Sequence, residues 1–413
     1  MDKCKKNEIC RICLSTKTVE FLDLGSTPLA NALLDNLSYE PEIFPLSVEW
    51  CPECLNIQLN YCVSSDILYK NYLYVTPKSN SLLEHYSQLL NFLEQKRYLD
   101  KNTNLLEIGS NSGELLNFFQ HSVASVVGVD PAENIVQIAN ARGIPTEPEF
   151  FNATSAKSLL KKFGYQDLII ARHCFAHNKN PGDMVEGVCE ILSDAGYFVI
   201  ENAYAVDTIE KYEFDQVYHE HMYYYSLHSL EALLERHGLS LVDAIKSSVH
   251  GGSIVAIAQR RVLDTVYRSN DLIALMTDEQ KILTQDRLAE FGETSRRIIS
   301  TLQKLIGDLT SSGKTIYSYG ATAKGNTLLN VCHLTNVDVK YCVDSTDIKQ
   351  GRFLPGSNIQ VVSEEFAYGN PPDYFLLTAW NYADEIMKKF KDNCSAPVKF
   401  IIPFPEVTVI NGL

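Results

Sequence analysis

The feature that most constrains the fold is a glycine-containing loop that follows a short apolar run. The sequence Asn104-Leu-Leu-Glu-Ile-Gly-Ser-Asn-Ser-Gly113 predicts a strand that ends in a tight loop, and Glu114 to Phe119 has the pattern of a following helix. A second apolar run, residues 126–129, ends at Asp130. A carboxylate at the tip of that strand suits the vicinal hydroxyls of a ribose. The sequence therefore predicts a nucleotide-binding crossover of the Rossmann type.

The spacing of this loop narrows the choice of ligand. It is Glu-x-Gly-x-x-x-Gly, not G-x-G-x-x-G, and the negative charge of Glu107 disfavours a pyrophosphate. Glycine has no Cβ, so the backbone of the loop can approach a ligand closely. The loop and Asp130 resemble motif I and the acidic position after it in class I S-adenosylmethionine-dependent methyltransferases; a Rossmann unit for another nucleotide is the alternative. The resemblance implies that S-adenosylmethionine is bound by Glu107, Gly109, Ser110, Asn111, Gly113, Asp130 and Pro131.

Length and charge exclude several function classes. The 413 residues indicate two or three domains, with ordinary globular values of 45% hydrophobic and 21% charged residues. The net charge of −15 argues against nucleic acid as a partner, because phosphate binding needs a basic surface. No apolar stretch is long enough for a membrane span and the start is not signal-like, so we expect no membrane partner and a cytoplasmic protein.

Two C-x-x-C pairs predict a metal site near the start of the chain. Cys10-Arg-Ile-Cys13 and Cys51-Pro-Glu-Cys54 can each present two thiolates, and a tetrahedral zinc needs four ligands. Because all four are cysteines, we expect one structural zinc in a zinc-binding domain of residues 1–70. Four unrelated reduced cysteines are the alternative. Between the pairs, Pro28 to Leu34 predicts a proline-led turn and a short helix.

Alternating strand and helix patterns predict a doubly wound, mostly parallel sheet in the central domain, residues 71–260. Polar clusters follow two of its strands, at residues 172–178 and 202–204, and should face one cleft at the carboxyl ends of the strands. The predicted strands are Leu105–Ile108, Val126–Val129, Asp167–Ala171, Tyr197–Glu201 and Ile254–Ile257, and the predicted helices include Asn134–Arg142 and Pro181–Leu192.

The segment from Glu213 to Ser226 has an unusual composition. It holds two histidines, two glutamates and four tyrosines in fourteen residues. We interpret it as an acid/base cluster, because histidine is the usual general base near neutral pH and tyrosine a good donor. A metal site and a tyrosine-rich packing segment are the alternatives. If the segment is extended, His219 and His221 share one side and Glu220 faces the other; with His177 they are the candidate bases.

The last part of the chain, residues 261–413, predicts a second Rossmann-like domain. One long polar helix, about Thr277 to Leu309, leads into it, and strands are expected at residues 315–319, 337–343, 374–377 and 398–401. A glycine loop, Gly320-Ala-Thr-Ala-Lys-Gly325, precedes a helix. Backbone amides at a helix start together with Lys324 suit a diphosphate, and Arg352 could add a cation. A structural lid is the alternative.

Four features in order resemble the C-methyltransferases that act on nucleotide-linked 4-keto-6-deoxy sugars. They are the paired C-x-x-C knuckles with Pro28-Leu-Ala-Asn31, the Glu107 loop, the run Asp215-Gln-Val-Tyr-His-Glu-His221, and Gly320 to Asn326. The resemblance implies a zinc-binding module, a class I methyltransferase domain and a Rossmann-like nucleotide-sugar-binding domain. It implies catalytic roles for Tyr218, Glu220, His221, His177 and Tyr72, with His221 as the base. From the glycine loop and its cations we expect substrate contacts for Lys324, Asn326 and Arg352.

One departure from that family concerns the run Tyr74 to Asn80, which replaces a more serine- and aromatic-rich run. It leaves the choice of Tyr72 over Tyr74 and the identity of the sugar open. The expected reaction is removal of a proton next to the ketone, at C3, and methylation of the enolate of a dTDP- or GDP-linked sugar. We expect a monomer or small homo-oligomer. A zinc-bearing NAD-dependent or non-catalytic nucleotide-binding protein is the alternative.

Overall fold

The structure is a computed structural model that describes residues 3–68, 80–261 and 267–411. These ranges contain four β-sheets, with two, seven, four and six strands. Within them, no helix has the length and apolar character that a membrane crossing requires. Tyr72, predicted to be catalytic, lies outside the described residues.

The N-terminal region consists mainly of short antiparallel strands. The predicted short helix at 28–34 is wrong: Pro28 ends a strand, and the backbone of Leu34 instead exchanges hydrogen bonds of 2.9 and 2.8 Å with Phe353. This pairing with a distant segment satisfies backbone groups that a helix would have paired locally. The elements are β1 (Cys4–Lys6), β2 (Val19–Pro28), β3 (Ile43–Trp50), β4 (Ile57–Leu59), β5 (Tyr61–Val63) and α1 (Ser65–Leu68).

The central region forms the predicted doubly wound sheet. Its elements are α2 (Asn80–Gln95), β6 (Asn104–Ile108), α3 (Glu114–Phe119), β7 (Ser125–Val129), α4 (Glu133–Ala141), β8 (Thr146–Glu147), α5 (Ala153–Phe163), β9 (Gln166–Arg172), α6 (Pro181–Ile191), β10 (Leu192–Ala203), α7 (Ala205–Glu210), β11 (Tyr223–Tyr224), α8 (Leu227–Glu235), β12 (Leu239–Ser247) and β13 (Ser253–Arg260). The strand order is β12-β13-β10-β9-β6-β7-β8. The strands from β10 to β8 are parallel, and β13 is antiparallel to both of its neighbours, β10 and β12. The carboxyl ends of β6, β7, β9 and β10 therefore meet at one edge.

Helices cover both faces of this sheet, which explains the nearly continuous apolar runs in its strands. One face carries Leu105 and Ile170 and packs against α2 and α3. The other carries Leu106 and Ile169 and packs against α5 and α6.

The C-terminal region contains a second, mostly parallel sheet. Its strand order is β16-β15-β14-β17-β18-β19, and only β19 in this sheet is antiparallel to its neighbour. The elements are α9 (Asn270–Ile282), α10 (Gln285–Ser311), β14 (Ile316–Tyr319), α11 (Ala323–Val331), β15 (Tyr341–Val343), β16 (Gln360–Val362), α12 (Glu364–Gly369), β17 (Tyr374–Leu377), α13 (Ala383–Asn393), β18 (Lys399–Ile402) and β19 (Thr408–Asn411).

Two predicted elements of this region differ from the structure. The single long helix is two helices, because Thr284 caps the start of α10 and accepts a hydrogen bond from the Arg287 amide. The strand expected at 337–343 covers only its last three residues. Residues before it form a turn in which Asp338 accepts hydrogen bonds from the backbone and hydroxyl of Thr335.

The strand β11 connects two parts of the molecule. It belongs to the central part of the sequence but pairs with β4, with Tyr223 opposite Gln58 and Tyr224 opposite Ile57. The four-stranded sheet β11-β4-β3-β2 therefore takes one strand from the segment predicted to carry the acid/base residues. The domain boundaries at 70/71 and 260/261 stay predictions.

Candidate active site and zinc site

The loop between β6 and α3 holds a buried carboxylate at the carboxyl edge of the sheet. Asp130 accepts hydrogen bonds of 3.0 Å from the backbone amides of Asn111 and Ala132, one on each oxygen. Gly109 has a φ of +69°, and its amide donates to Val129 O at 2.8 Å. Each oxygen of Asp130 can accept a further hydrogen bond, so this donor set fits the two hydroxyls of a ribose.

The other predicted cofactor residues have distinct environments. Gly113 has a φ of +77° and begins α3, and a Cβ there would lie 3.1 Å from Ile144. The Ser110 hydroxyl packs against Gly128: a Cβ added to Gly128 would lie only 2.3 Å from the Ser110 Oγ. Pro131 is exposed. Ser110 thus packs the loop against the next strand, and the cofactor roles of all these positions stay predictions.

A buried charged network lies on one face of the sheet at the same edge. The Arg172 guanidinium is 3.4 Å from Glu107 and 4.0 Å from Glu201, and Glu201 is 2.7 Å from His85 Nε2. Burial raises the pKa of Glu107 to about 8, although Arg172 opposes this. Burial also opposes ionisation of Glu201, but hydrogen bonds from His173 and His85 and the Arg172 charge hold its pKa well below the ordinary value.

Sequence reasoning missed His85 and Glu201 in this network. The available signal was the alternation of side chains between the two faces of a strand. Glu107, Arg172 and Glu201 each come two residues after a buried apolar residue and therefore lie on the same face of the sheet as that residue. No local pattern links His85 on α2 to a strand more than a hundred residues later.

The predicted acid/base residues Tyr218, His221 and His177 lie together. The Tyr218 hydroxyl is hydrogen-bonded to His221 Nε2, and the centroids of the His177 and His221 rings are 5.0 Å apart. The segment is a turn, closed by a 3.0 Å bond from His221 N to Tyr218 O, so the extended conformation considered for it is wrong. His219 consequently points elsewhere and bonds Phe44 O at 3.2 Å.

Both clustered imidazoles are neutral at neutral pH. Burial, with the nearby His177 and Lys324 charges, holds the pKa of His221 well below the ordinary histidine value. Burial and His173 lower the pKa of His177 to about 4. A neutral imidazole can accept a proton, so both meet the first requirement for a general base.

Glu220 is directed toward the N-terminal region. Its Oε1 accepts a 3.0 Å hydrogen bond from the Asn31 amide, and the side chain is only 3% exposed. Burial raises the pKa of this carboxyl. This contact ties the segment before His221 to Asn31, and the catalytic role of Glu220 stays a prediction.

Lys324 lies beside the acid/base segment. Its Nζ is 5.3 Å from the centre of the Trp380 ring, and Trp380 Nε1 donates to Asp215 at 2.7 Å. Burial lowers the pKa of Lys324, while Asp215 and Glu213 oppose this. Lys324 thus reaches from the C-terminal region to the segment that carries His221, and its predicted phosphate contact stays a prediction.

The other two predicted substrate residues have partners within the protein. Asn326 is 1% exposed, and its amide donates to Ala30 O at 3.0 Å and accepts from Asn330 at 3.1 Å. Arg352 Nε is 3.1 Å from Asp35. Both side chains join the C-terminal region to residues 30–35, and this arrangement gives no support to a substrate contact for Asn326.

The C-terminal glycine loop repeats the carboxylate arrangement of the first. Asp344 accepts from the amides of Ala321 at 2.8 Å and Thr346 at 2.9 Å, as Asp130 does from its loop. Here, however, Lys349 Nζ lies 3.2 Å from Asp344 and donates to Ala321 O at 2.9 Å. The two loops have the same arrangement of backbone hydrogen bonds around a carboxylate, but Asp344 in the second loop also forms an ion pair with Lys349.

The four predicted metal ligands are brought together. Their sulfur atoms all lie within 4.8 Å of one another, with Cys10 3.6 Å from Cys54 and Cys13 3.5 Å from Cys51. Thiolates around a tetrahedral zinc, with Zn–S bonds of about 2.3 Å, are about 3.8 Å apart. The four cysteines therefore fit one zinc.

Comparisons with known proteins agree with this architecture. Three family profiles match in order: "Putative zinc binding domain" at residues 10–69, "Methyltransferase domain" at 81–244 and "C-methyltransferase C-terminal domain" at 248–405. The chain belongs to the family of C-methyltransferases that combine these three parts, and it is an S-adenosylmethionine-dependent C-methyltransferase.

A full-length relative and several solved structures are similar to the chain. It is 36% identical to the C-methyltransferase NovU of Streptomyces niveus over 409 residues, 98% of this chain and 97% of that one. The magnesium protoporphyrin IX methyltransferase ChlM of Synechocystis aligns with 48% of this chain and 92% of its own, at 14% identity and a TM-score of 0.34. The N-methyltransferase NodS of Bradyrhizobium japonicum aligns with 43% and 96%, at 15% identity and a TM-score of 0.32. Both TM-scores are low, so the family assignment comes from the sequence matches.

Proposed function

We propose that this C-methyltransferase acts on a nucleotide-linked 4-keto-6-deoxy sugar. It removes the proton from the carbon beside the ketone, C3, and a methyl group is added to that carbon. The observation that carries the proposal is the hydrogen-bonded pair of Tyr218 and His221, which lies beside His177. The class of sugar comes from the family resemblance of the sequence.

The chemistry explains why such a pair is needed. A saturated carbon becomes nucleophilic only when a proton next to a carbonyl is removed, which leaves an enolate. S-adenosylmethionine, when bound, supplies an electrophilic methyl group. The cofactor would be held by Glu107, Gly109, Asn111 and Asp130. In the proposed reaction the Tyr218 hydroxyl donates to the ketone oxygen and stabilises the enolate charge. Nε2 of His221, released from that hydroxyl, accepts the proton from C3.

The remaining residues would position the substrate. His177 lies against His221 and, with Tyr72, would orient the sugar ring. Lys324 would contact the diphosphate of a dTDP- or GDP-sugar. Its position beside the acid/base segment supports this role, because it places a cation close to His221 and so to the sugar that would react there. The zinc held by Cys10, Cys13, Cys51 and Cys54 would be structural, because four thiolates leave no open coordination position.

A substrate panel tests this proposal. Purified protein is incubated with S-adenosylmethionine and a set of dTDP- and GDP-linked sugars, with and without a 4-keto group, and products are identified by mass spectrometry and NMR. We expect one added methyl group, on C3, only with 4-keto sugars. Methylation of sugars that lack the ketone, or at oxygen, would contradict the enolate mechanism.

A further inference from the structure

The residues that follow His221 are bound into the sheet of the zinc-binding region. Leu59 N donates to Met222 O at 3.1 Å, and the next two residues pair with β4 as strand β11. His221 is thus one residue away from a backbone that the N-terminal region holds.

Arg11 extends this attachment from within a zinc knuckle, between Cys10 and Cys13. Its guanidinium carbon lies 4.4 Å from the centre of the Tyr223 ring, and Nη2 donates to Met222 O at 3.4 Å. A planar guanidinium can stack on an aromatic ring and donate a hydrogen bond at once. Arg11 therefore connects the metal-binding turn to the two residues after His221.

Three further contacts hold the same segment. The Asn31 amide donates to Glu220 at 3.0 Å, directly before His221. His219 bonds Phe44 O at 3.2 Å, and the Ser226 hydroxyl donates to Leu55 O at 3.1 Å, next to the ligand Cys54. Residues on both sides of His221 are therefore fixed by the N-terminal region.

We propose that the zinc-binding region positions the general base, and that Arg11 and Asn31 are positioning residues for methyl transfer. The inference rests on the proposed function, because it takes the Tyr218–His221 turn as the site of proton removal. The turn is short, so its place in the cleft depends in part on the strand after it and on the side chains of the N-terminal region that contact it. A displacement of about 1 Å at a reacting group can lower the rate about a hundredfold.

The test compares Arg11→Gln, Arg11→Lys and Asn31→Ala with the control Lys17→Gln. Lys17 forms an exposed ion pair with Glu53 in the same region and does not hold the acid/base segment. For each protein we would measure zinc content, S-adenosylmethionine affinity, kcat, KM, and exchange of the substrate α-proton with deuterated solvent. We expect Arg11→Gln and Asn31→Ala to keep one zinc and normal cofactor affinity, while kcat and exchange fall about tenfold or more and KM changes much less. Arg11→Lys should recover part of the loss, because it keeps the cation over Tyr223.

Two outcomes overturn the inference. One is wild-type kcat and exchange in both Arg11→Gln and Asn31→Ala; the other is loss of zinc in both, which would mean that they act through unfolding. His221→Asn is measured in parallel. If His221→Asn loses exchange while the Arg11 and Asn31 variants keep it, only this inference fails; if His221→Asn exchanges normally, His221 is not the base, and the assignment of the base in the proposed function fails together with this inference.

Discussion

At the scale of single residues, the protonation of His221 depends on what surrounds it. Burial is the largest cause of its lowered pKa, and the charges of His177 and Lys324 act in the same direction. The imidazole of His221 is therefore neutral well below the pH at which an exposed histidine becomes protonated. Because the proton acceptor must be neutral, activity should persist below pH 6.5, the ordinary histidine pKa.

Replacing Lys324 by Met should move the acid limb of the pH profile. Loss of its positive charge makes protonation of His221 easier, which raises the pKa of His221. The acid limb of kcat/KM should therefore shift to higher pH, by about one unit. Lys314→Met is the control, because Lys314 pairs with Asp373 at the start of β14 and should leave the profile unchanged. An unshifted limb in Lys324→Met would place Lys324 away from the base.

The same variant separates two roles for Lys324. If Lys324 binds the diphosphate, its contact is equally strong in the bound substrate and in the transition state. Loss of the side chain should then raise KM more than it lowers kcat. A fall in kcat at unchanged KM would instead mean that Lys324 acts in the chemical step.

Asp130→Asn should weaken binding of S-adenosylmethionine. A charge-assisted hydrogen bond to a ribose hydroxyl contributes about 1.5–3 kcal/mol, so affinity should fall roughly tenfold to a hundredfold. Asp344→Asn is a matched control, since Asp344 accepts the same two kinds of backbone bond in the second glycine loop. Calorimetry on both variants decides: equal affinity in Asp130→Asn and wild type would move the cofactor site elsewhere.

At the scale of elements, the sequence predicted the strands, loops and turns that are determined by residues close together in the chain. The loop from Glu107 to Gly113 and most strands of the two mainly parallel sheets follow from glycine spacing and apolar runs, whereas β8, β12, β16 and β19 were not predicted. The grouping of the four cysteines follows from two short turns. These features needed no knowledge of distant partners.

Elements determined by distant contacts were mispredicted. The turn at Tyr218–His221 depends on β11, which pairs with β4, far earlier in the chain. The helix predicted at 28–34 is absent, and Leu34 instead pairs with Phe353, far later in the chain. Periodicity along one segment contains no information about such partners.

Loss of a zinc ligand should unfold the N-terminal region. Most buried residues of these small sheets pack in a hydrophobic cluster shared with the other regions, not in a core of their own, so we expect metal binding to contribute directly to their folding. Cys51→Ser should lower the soluble yield and the zinc content, whereas Cys4→Ser, outside the four-cysteine cluster, should change neither. Elemental analysis of freshly purified wild-type protein should give one zinc per chain, and absence of zinc would contradict this assignment.

At the scale of the whole molecule, all three regions meet at residues 213–226. The N-terminal region supplies Asn31 and β4, the segment after β9 supplies His177, and the C-terminal region supplies Lys324 and Trp380. Contacts from the other two regions would hold the base at a fixed position relative to the cofactor site, which lies at the carboxyl edge of the central sheet.

The central claim, that His221 removes the proton next to the ketone, is tested most directly by solvent exchange. A 4-keto nucleotide sugar is incubated in deuterated water without a methyl donor, and deuterium at C3 is followed by NMR for wild type, His221→Asn and His177→Asn. We predict exchange with wild type and a rate about 10²–10⁴-fold lower with His221→Asn, the usual loss for a general base, at unchanged S-adenosylmethionine affinity. Wild-type exchange in His221→Asn together with its loss in His177→Asn would contradict the claim and make His177 the base.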